Sequence, residues 1–297
     1  MKMRQTHPKK AFTIIELLTV MSIIVILIGM LIPALNQVKK FSMRVNQAAQ
    51  LKAISAGLEM FKNDYDNEYP DSGALDIMGQ PYCGSMKLAE ALMGRDLLGF
   101  HPKSRFREDA SDGVRRLYAP LASLKNLTEN LKERRGTYIA EDNASAYRLA
   151  NLYTRSISPF SDSNDIYVLA DVFKRNINNG TGDNKIGMPI LYYKANPAGL
   201  THDPNTDSAL SEVSYGINYY NIWDNDSLVK LGKPDGGIPH TLDAGFGRNE
   251  QDFYEMTRNR LIEAARRPFR QDSFILISAG WDGEYGTGDD VTNFDIN

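Results

Sequence analysis

The residues with the clearest potential for chemistry lie close to the C-terminus. Residues 278–290 read SAGWDGEYGTGDD and place three aspartates, Asp282, Asp289 and Asp290, among four glycines, directly after an apolar run. Calcium takes roughly six to eight oxygen ligands, which carboxylates and loop carbonyls supply where glycine lets the chain turn around the ion. The alternating acids and closing glutamate of an EF-hand are missing. A solvated Asp/Gly turn is the simpler interpretation of this composition.

A second candidate is an acid in an apolar setting. From Phe12 to Leu35 the sequence reads FTIIELLTVMSIIVILIGMLIPAL, in which Glu16 is the only charged residue. About twenty such residues suffice for a helix to cross a bilayer. A carboxylate inside the bilayer costs about 2.5 to 3.5 kcal/mol and is a functional candidate by default. A signal anchor that tolerates one glutamate near its end is the alternative.

The composition gives little support to other chemistry. A net charge of -3 without a basic stripe argues against nucleic acid as a partner. Cys83 is the only cysteine, which excludes an internal disulfide and metal sites built on several thiolates. The four histidines are scattered and match no HExxH or paired-ligand motif. We therefore predict that the chain is not an enzyme.

The elements that must position these residues begin with one long helix. Beyond Pro33 the absence of proline from Asn36 to Glu68 predicts a helix from Phe12 to about Asp64, bent at Pro33 because proline lacks the N–H of a backbone bond. Its apolar surface exceeds what one head domain can cover, so part of it should pack on other chains. Apolar residues recur along it at spacings of three and four: Val38, Phe41, Val45, Ala48, Leu51, Ile54, Leu58 and Phe61.

The remainder of the chain predicts an α+β fold. We expect the second half of the long helix, residues 36–64, to pack on a small antiparallel sheet, with a large irregular insertion over about residues 77–249. The segment Asn176–Lys185 is predicted as a hairpin or exposed loop. Helical spacing or strand patterning marks the other segments: helices at 87–98, 118–134 and 251–266, and strands at 166–173, 189–193 and 273–278.

The N-terminal segment resembles a known family. KKAFTIIELLTVMSIIVILIGMLIPAL, together with MFKNDYDNEYP at the helix end, is similar to the leader junction and N-terminal helix of type IV prepilins and type II secretion pseudopilins. The resemblance implies that a prepilin peptidase cuts between Ala11 and Phe12 and methylates the new amine of Phe12. Ala11 departs from the usual glycine. It also implies that Glu16 pairs with the Phe12 amine of a neighbouring subunit, which would fix their axial register.

The Asp/Gly loop, residues 278–295, resembles the calcium-binding loop of type II secretion major pseudopilins. That resemblance implies Asp282, Asp289 and Asp290 as calcium ligands, with Ser278 as a further candidate and loop carbonyls completing the shell. The spacing departs somewhat from the family's. The implied organisation is a basic leader at 1–11, a transmembrane half-helix at 12–35, an exported amphipathic half at 36–64 and a periplasmic head at 65–297.

These resemblances imply a structural subunit of a type II secretion pseudopilus. It would be a single-pass inner-membrane protein with a cytoplasmic N-terminus, extracted into a periplasmic filament by an assembly ATPase. Its expected partners are further copies of itself, other pseudopilins, prepilin peptidase and the inner-membrane assembly platform. Two alternatives stay open: a pilin of a type IV pilus, major or minor, and a membrane-anchored periplasmic domain that binds a ligand or acts as an enzyme.

Overall fold

The structure is a computed structural model that describes residues 13–118, 127–153, 157–160, 166–178, 183–206, 217–234, 237–243, 249–263 and 265–294. Its α-helices are α1 Ile14–Asp64, α2 Gly84–Met93, α3 Leu127–Glu133, α4 Glu141–Ala144, α5 Leu149–Leu152, α6 Asp226–Val229 and α7 Asn249–Met256. Its strands are β1 Ala146–Arg148, β2 Tyr167–Leu169, β3 Arg175–Asn178, β4 Asp183–Ile186, β5 Leu191–Lys194, β6 Phe274–Ser278 and β7 Val291–Thr292. The predicted α+β class is confirmed.

Helix α1 confirms the predicted long helix. It contains 51 residues and continues through Pro33; the bend predicted at that proline stays a prediction. The helix ends before Asp66 and Asn67, whose φ angles of 47° and 61° lie in the left-handed region that short polar side chains tolerate. The helix therefore ends at Asp64, the residue that the sequence predicts.

Contacts within the chain divide it into two compact units, the first ending at Met43 and the second beginning at Arg44. In the first unit the apolar side chains of α1 are exposed, as Ile14 (85%), Val25 (68%) and Phe41 (68%) illustrate. An 18-residue window of the helix has a mean hydropathy of 2.7 and is 0% buried. This part of α1 is long and apolar enough to span a bilayer.

In the second unit α1 buries one face. The side chain of Gln50 donates to the carbonyl of Ala170 (3.0 Å), and the Gln47 Oε1 accepts from the backbone N–H of Val172 (2.8 Å). These bonds fasten the helix to the residues that follow β2. The amphipathic pattern is confirmed here, because the buried residues recur at helical spacing: Gln47, Gln50, Leu51, Ile54, Gly57, Leu58 and Phe61.

The strands form three antiparallel sheets, β1 with β2, β3 with β4, and β5 with β6 and β7. Strand β6 lies in the middle of the largest sheet and is buried along its whole length. It pairs with β5 in the register Leu191 with Ile277 and Tyr193 with Ile275. These four side chains belong to the main hydrophobic core of the head. The predicted strands at 273–278, 189–193 and 166–173 correspond to β6, β5 and the shorter β2.

Helix α2 is buried along its whole length, at all ten of its residues. It begins at Gly84 and ends at Met93, earlier than the predicted segment 87–98, because Gly94 turns the chain with a φ of +77° and its N–H bonds back to the Glu90 carbonyl. Cys83 precedes the helix and is fully buried. Burial raises the pKa of the Cys83 thiol to about 12.

Helix α7 is shorter than predicted, and the expectation that it continues to Arg266 is wrong. It ends at Met256 because the next residues pair with a later segment instead of extending the helix. The Phe269 N–H donates to the Thr257 carbonyl (2.9 Å), and the Asn259 N–H donates to the Arg267 carbonyl (2.8 Å). Tertiary pairing here overrides the helical spacing of the side chains.

The remaining predictions concern two segments. The segment 176–185 forms a hairpin, since β3 and β4 pair in the register Arg175 with Ile186 and Asn178 with Asp183. Only α3, Leu127–Glu133, represents the helix predicted at 118–134, and residues 119–126 lie outside the described residues.

Candidate functional site

The first candidate site is the start of α1, where Thr13 and Glu16 bond to each other. The backbone N–H and the hydroxyl of Thr13 both donate to Glu16 Oε2, at 2.9 and 2.7 Å. In return the Glu16 N–H donates to the Thr13 hydroxyl oxygen at 3.3 Å. This is a capping box, in which a threonine before the helix and a glutamate three residues later satisfy free N–H groups of the first turn.

The sequence interpretation identified Glu16 but missed Thr13, although the Thr-x-x-Glu pattern was visible. Both bonds to the carboxylate end on Oε2, and Glu16 Oε1 accepts no hydrogen bond from a described residue. The free oxygen can therefore accept a further donor while the other holds the first turn. The implied cleavage residues Ala11 and Phe12 lie outside the described residues, and Pro33 lies within α1.

The second candidate site is the loop between β6 and β7. The described structure brings Asp282 and Asp289 into contact, because the Asp282 N–H donates to Asp289 Oδ2 at 3.0 Å. The Thr287 hydroxyl donates to Asp289 Oδ1 at 2.7 Å. Burial raises the pKa of Asp282. For Asp289 burial acts in the same direction but is outweighed by the bonds from Thr287 and from the Asp282 N–H, so its pKa is lowered.

Asp290 lies in the same loop and, in the described structure, has one carboxylate oxygen bonded and one unpartnered. Its Oδ2 accepts a bond from the Gly286 N–H at 2.8 Å. Its Oδ1 is buried without a hydrogen-bond partner among the described residues. Burial raises the pKa of Asp290 to about 8, and the charges of Asp289 and Asp282 act in the same direction. A cation beside this oxygen would relieve both effects.

Ser278 does not join the acids of the loop. Its hydroxyl donates to Oδ2 of Asp171 at 3.0 Å, in the buried interior. Asp171 also accepts the N–H groups of Phe173 and Met188, each at 3.1 Å. Burial raises the pKa of Asp171 to about 7. The sequence interpretation missed this acid, because nothing near it in the sequence marks it as a partner of the loop.

Arg175, at the start of β3, binds backbone carbonyls at the beginning of the loop. Its Nη2 donates to the carbonyls of Gly280 and Trp281, both at 2.8 Å. The guanidinium lies against Gly283, whose φ of +70° favours glycine. These two carbonyls are thus engaged by a cation of the chain and are less available to a metal than the other oxygens of the loop.

The fit to calcium rests on these observations. The described residues contain no group of three or more His, Cys, Asp or Glu side chains already placed to hold a metal ion. The unpartnered Oδ1 of Asp290 and the contact between Asp282 and Asp289 are nevertheless the features that a cation would satisfy. Calcium binding by this loop stays a prediction, with Asp282, Asp289 and Asp290 as the residues that would hold the ion.

A cleft of about 950 Å³ opens beside the loop, within the second unit. Asp290 and Thr287 line one side of it, Arg44 of α1 another, and Arg258 and Leu261 of the segment after α7 a third. The charged side chains that line the cleft are of both signs: Arg44, Arg258 and Arg260, and Asp252, Glu255 and Asp290.

Comparison with known proteins identifies one feature. Residues 6–32 match the family model described as the prokaryotic N-terminal methylation motif. No curated protein and no solved structure matches the chain. The match shows a type IV pilin-like processing signal on the same residues that carry the apolar half of α1 and the Thr13–Glu16 capping box. It does not distinguish a pseudopilin from a pilin.

Proposed function

We propose that the chain is the structural subunit of a type II secretion pseudopilus. In this proposal prepilin peptidase cuts between Ala11 and Phe12 and methylates the Phe12 amine. The subunit waits in the inner membrane as a single-pass protein with its N-terminus cytoplasmic and its head periplasmic. The assembly platform then passes it into a filament with further copies and other pseudopilins. The chain catalyses no reaction itself.

The methylation motif at residues 6–32 and the exposed apolar half of α1 support this proposal. A helix with this much uncovered apolar surface needs either lipid or other protein around it. Lipid covers it in the stored subunit, and the helices of neighbouring subunits cover it in a filament. Movement between these two surroundings costs little hydrophobic free energy, because lipid tails are as apolar as packed side chains.

Glu16 is the observation that carries the proposal. A lone carboxylate in the bilayer costs about 2.5 to 3.5 kcal/mol. Thr13 satisfies one of its oxygens and leaves the other open. The ammonium group of Phe12 on a neighbouring subunit would bind this open oxygen and offset the cost. Since one subunit supplies the acid and the next the amine, the pair aligns copies head to tail along a filament.

The test replaces Glu16 by leucine in the full chain, expressed with prepilin peptidase and the assembly machinery. We expect cleavage and membrane insertion to continue while filament incorporation falls by at least about tenfold, equivalent to about 1.4 kcal/mol. Leader removal is followed by mass spectrometry and incorporation by cross-linking between copies. Ser22→Ala is the control, since it also removes a polar group from the apolar half of α1. Unchanged incorporation and secretion in Glu16→Leu would contradict the proposal.

Deletion of the gene and the Glu16→Leu variant together distinguish this function from the alternatives. A type IV pilin would give filaments on the cell surface and leave protein secretion intact when the gene is deleted. A membrane-anchored periplasmic domain would keep its function in Glu16→Leu, because a plain anchor does not need the acid. If the chain is a pseudopilus subunit, deletion of its gene should abolish protein secretion and leave surface filaments in place.

We propose further that the loop binds calcium through Asp282, Asp289 and Asp290. At a hundredfold excess over its dissociation constant, calcium would add about 2.7 kcal/mol to the stability of the folded chain. Chelation should therefore lower the melting temperature of the detergent-solubilised protein, and Asp290→Asn should remove most of that response. Asp142→Asn, at an exposed position of helix α4, is the matched control. Equal melting curves with and without chelator, together with no heat of calcium binding, would refute the calcium site.

A further inference from the structure

We propose that Asn143 in the head is a site of N-linked glycosylation, which takes its oligosaccharide from a lipid-linked donor. Asn143, Ala144 and Ser145 form the pattern Asn-x-Ser, in which the asparagine amide accepts a sugar in exported proteins. The inference rests on the proposed function, because it needs the head to be periplasmic. It adds a covalent modification to the surface of the head, apart from α1 and from the Asp/Gly loop.

The Asn-x-Ser/Thr pattern occurs at four asparagines of the chain, Asn126, Asn143, Asn179 and Asn225. Only Asn143 has an acid two residues before it, Glu141, where the other three have leucine, isoleucine and tryptophan. A carboxylate at this position can form a charge-assisted hydrogen bond with a basic side chain of the transferase. Asn126 and Asn179 lie outside the described residues, so the structure compares Asn143 with Asn225.

Asn225 is closed to a sugar by its surroundings. It is fully buried, and its Oδ1 accepts from both the N–H and the hydroxyl of Ser85, each at 2.8 Å. Its Nδ2 donates to the Tyr192 carbonyl at 2.7 Å. Since Nδ2 is the atom that would carry the sugar, the folded head excludes modification of Asn225. The pattern by itself does not make a site, and access to the amide decides between the two asparagines.

Asn143 has the opposite surroundings. It is exposed on α4, and its side-chain amide makes no hydrogen bond with a residue that the structure describes. The next residue, Ala144, is fully buried, and its carbonyl accepts from Gln50 Nε2 at 3.5 Å. The segment is thus attached to the head through Ala144, while Asn143 faces solvent. A glycan on Asn143 would extend away from the head without displacing any buried side chain.

The backbone turns directly after Asn143. Helix α4 has only four residues, and Ala140 before it provides no side-chain cap. Ser145 follows the helix with a φ of 45° and a ψ of 52°, in the left-handed region that residues other than glycine seldom adopt. A helix of this length has little stability of its own, so a transferase can reshape it on binding. The part-exposed Ser145 lies within the same turn as Asn143.

The transfer forms one C–N bond and breaks one C–O bond. Asn143 Nδ2 attacks the anomeric carbon of the first sugar, and the polyprenyl pyrophosphate of the donor leaves. One amide proton passes to a base of the transferase, and no atom is oxidised or reduced. The Ser145 hydroxyl, the second group of the pattern, can hydrogen-bond to the transferase during the reaction. The donor class is therefore an oligosaccharide joined to a polyprenyl pyrophosphate.

The experiment isolates the full chain from the cells that naturally produce it and locates the glycan by mass spectrometry, with fragmentation that preserves the sugar linkage. We expect a glycan on Asn143 and none on Asn225. Asn143→Gln should abolish the modification. Glu141→Gln should lower the glycosylated fraction at least about tenfold, because the charge-assisted bond to the transferase is lost, and Glu141→Asp should retain it. Asp142→Asn is the matched control, since it removes the neighbouring exposed acid and leaves the pattern intact.

Three results would overturn the inference. The first is an unmodified Asn143 in chains whose head is cleaved by protease added to spheroplasts, and the second is a glycan confined to another residue. Both are read on the unmodified chain, so they do not depend on the folding of a variant. The third is equal glycosylation of Glu141→Gln and the unmodified chain, which would show that the transferase does not recognise the acid. Export is tested separately: a head that the added protease cannot reach contradicts the proposed function itself.

Discussion

The two parts of α1 differ in where their apolar surface finds cover. Before Arg44 its apolar side chains are exposed, whereas Leu51, Ile54 and Leu58 are at most 1% exposed within the head. One helix thus serves two environments. The stability of the head depends on the later residues alone, and whatever covers the earlier residues must come from outside the described fold. Stability and assembly should therefore be separable by mutation along a single helix.

The largest expected effect comes from the buried part of the helix. Ile54→Ala removes a fully buried side chain and should lower the free energy of unfolding of the head by about 2 to 5 kcal/mol. Val25→Ala, at a position that is 68% exposed, should leave head unfolding unchanged. Denaturant unfolding of both variants in detergent provides the measurement. Similar losses in both would show that the two parts of α1 are not independent.

The next effect belongs to the head alone and depends on pH. The raised pKa of Asp171, about 7, means that the folded state holds its proton more tightly than the unfolded state does. Its stabilising contribution is complete below the unfolded pKa near 4 and is lost as the pH rises through 7, a decline of a few kcal/mol. Asp171→Asn should flatten the dependence of the unfolding free energy on pH between about pH 4 and 7, relative to the unmodified chain. An unaltered slope would show that Asp171 titrates normally.

A smaller effect is expected at the loop of the head. Arg175→Gln removes the charged donor to the Gly280 and Trp281 carbonyls and should cost about 2 kcal/mol. Lys174→Gln is the control, because Lys174 is exposed and directly adjacent in the sequence. Hydrogen exchange of the loop amides should increase in the first variant only. No change in that exchange would mean that the guanidinium does not hold the loop.

The smallest expected effect concerns the first turn of α1, in the first unit. Thr13→Val removes the capping hydroxyl and should cost the first turn of α1 about 1 kcal/mol, while Thr13→Ser should retain it. Because this turn belongs to the first unit, head unfolding should be the same in both variants. Circular dichroism in detergent and exchange of the first-turn amides report the loss. A lower free energy of unfolding of the head in Thr13→Val would show that the two parts of α1 are not independent.

The elements that sequence predicts well here are those with local causes. Hydropathy and the lack of proline after Pro33 define α1, and the apolar run at 273–278 defines β6. The end of α7 was not predictable, because it depends on pairing with Phe269 and Arg267 rather than on local spacing.

The candidate sites follow the same rule. Glu16 and the three aspartates are visible because of their immediate neighbours in the sequence. Arg175 and Asp171 reach the C-terminal loop from more than a hundred residues away, through contacts that leave no local pattern. Thr13 is the exception, since its capping pattern lies beside Glu16 and a closer inspection would have found it.

The burial of Cys83 has a practical consequence for the proposed periplasmic filament. An oxidising compartment attacks thiolates, and a fully buried thiol with a pKa of about 12 presents almost none. Copies crowded together should therefore not become linked through their native cysteine. Two cysteines introduced at chosen positions would report proximity between neighbouring copies without removal of the native one, so distances within an assembled fibre can be mapped on otherwise unmodified protein.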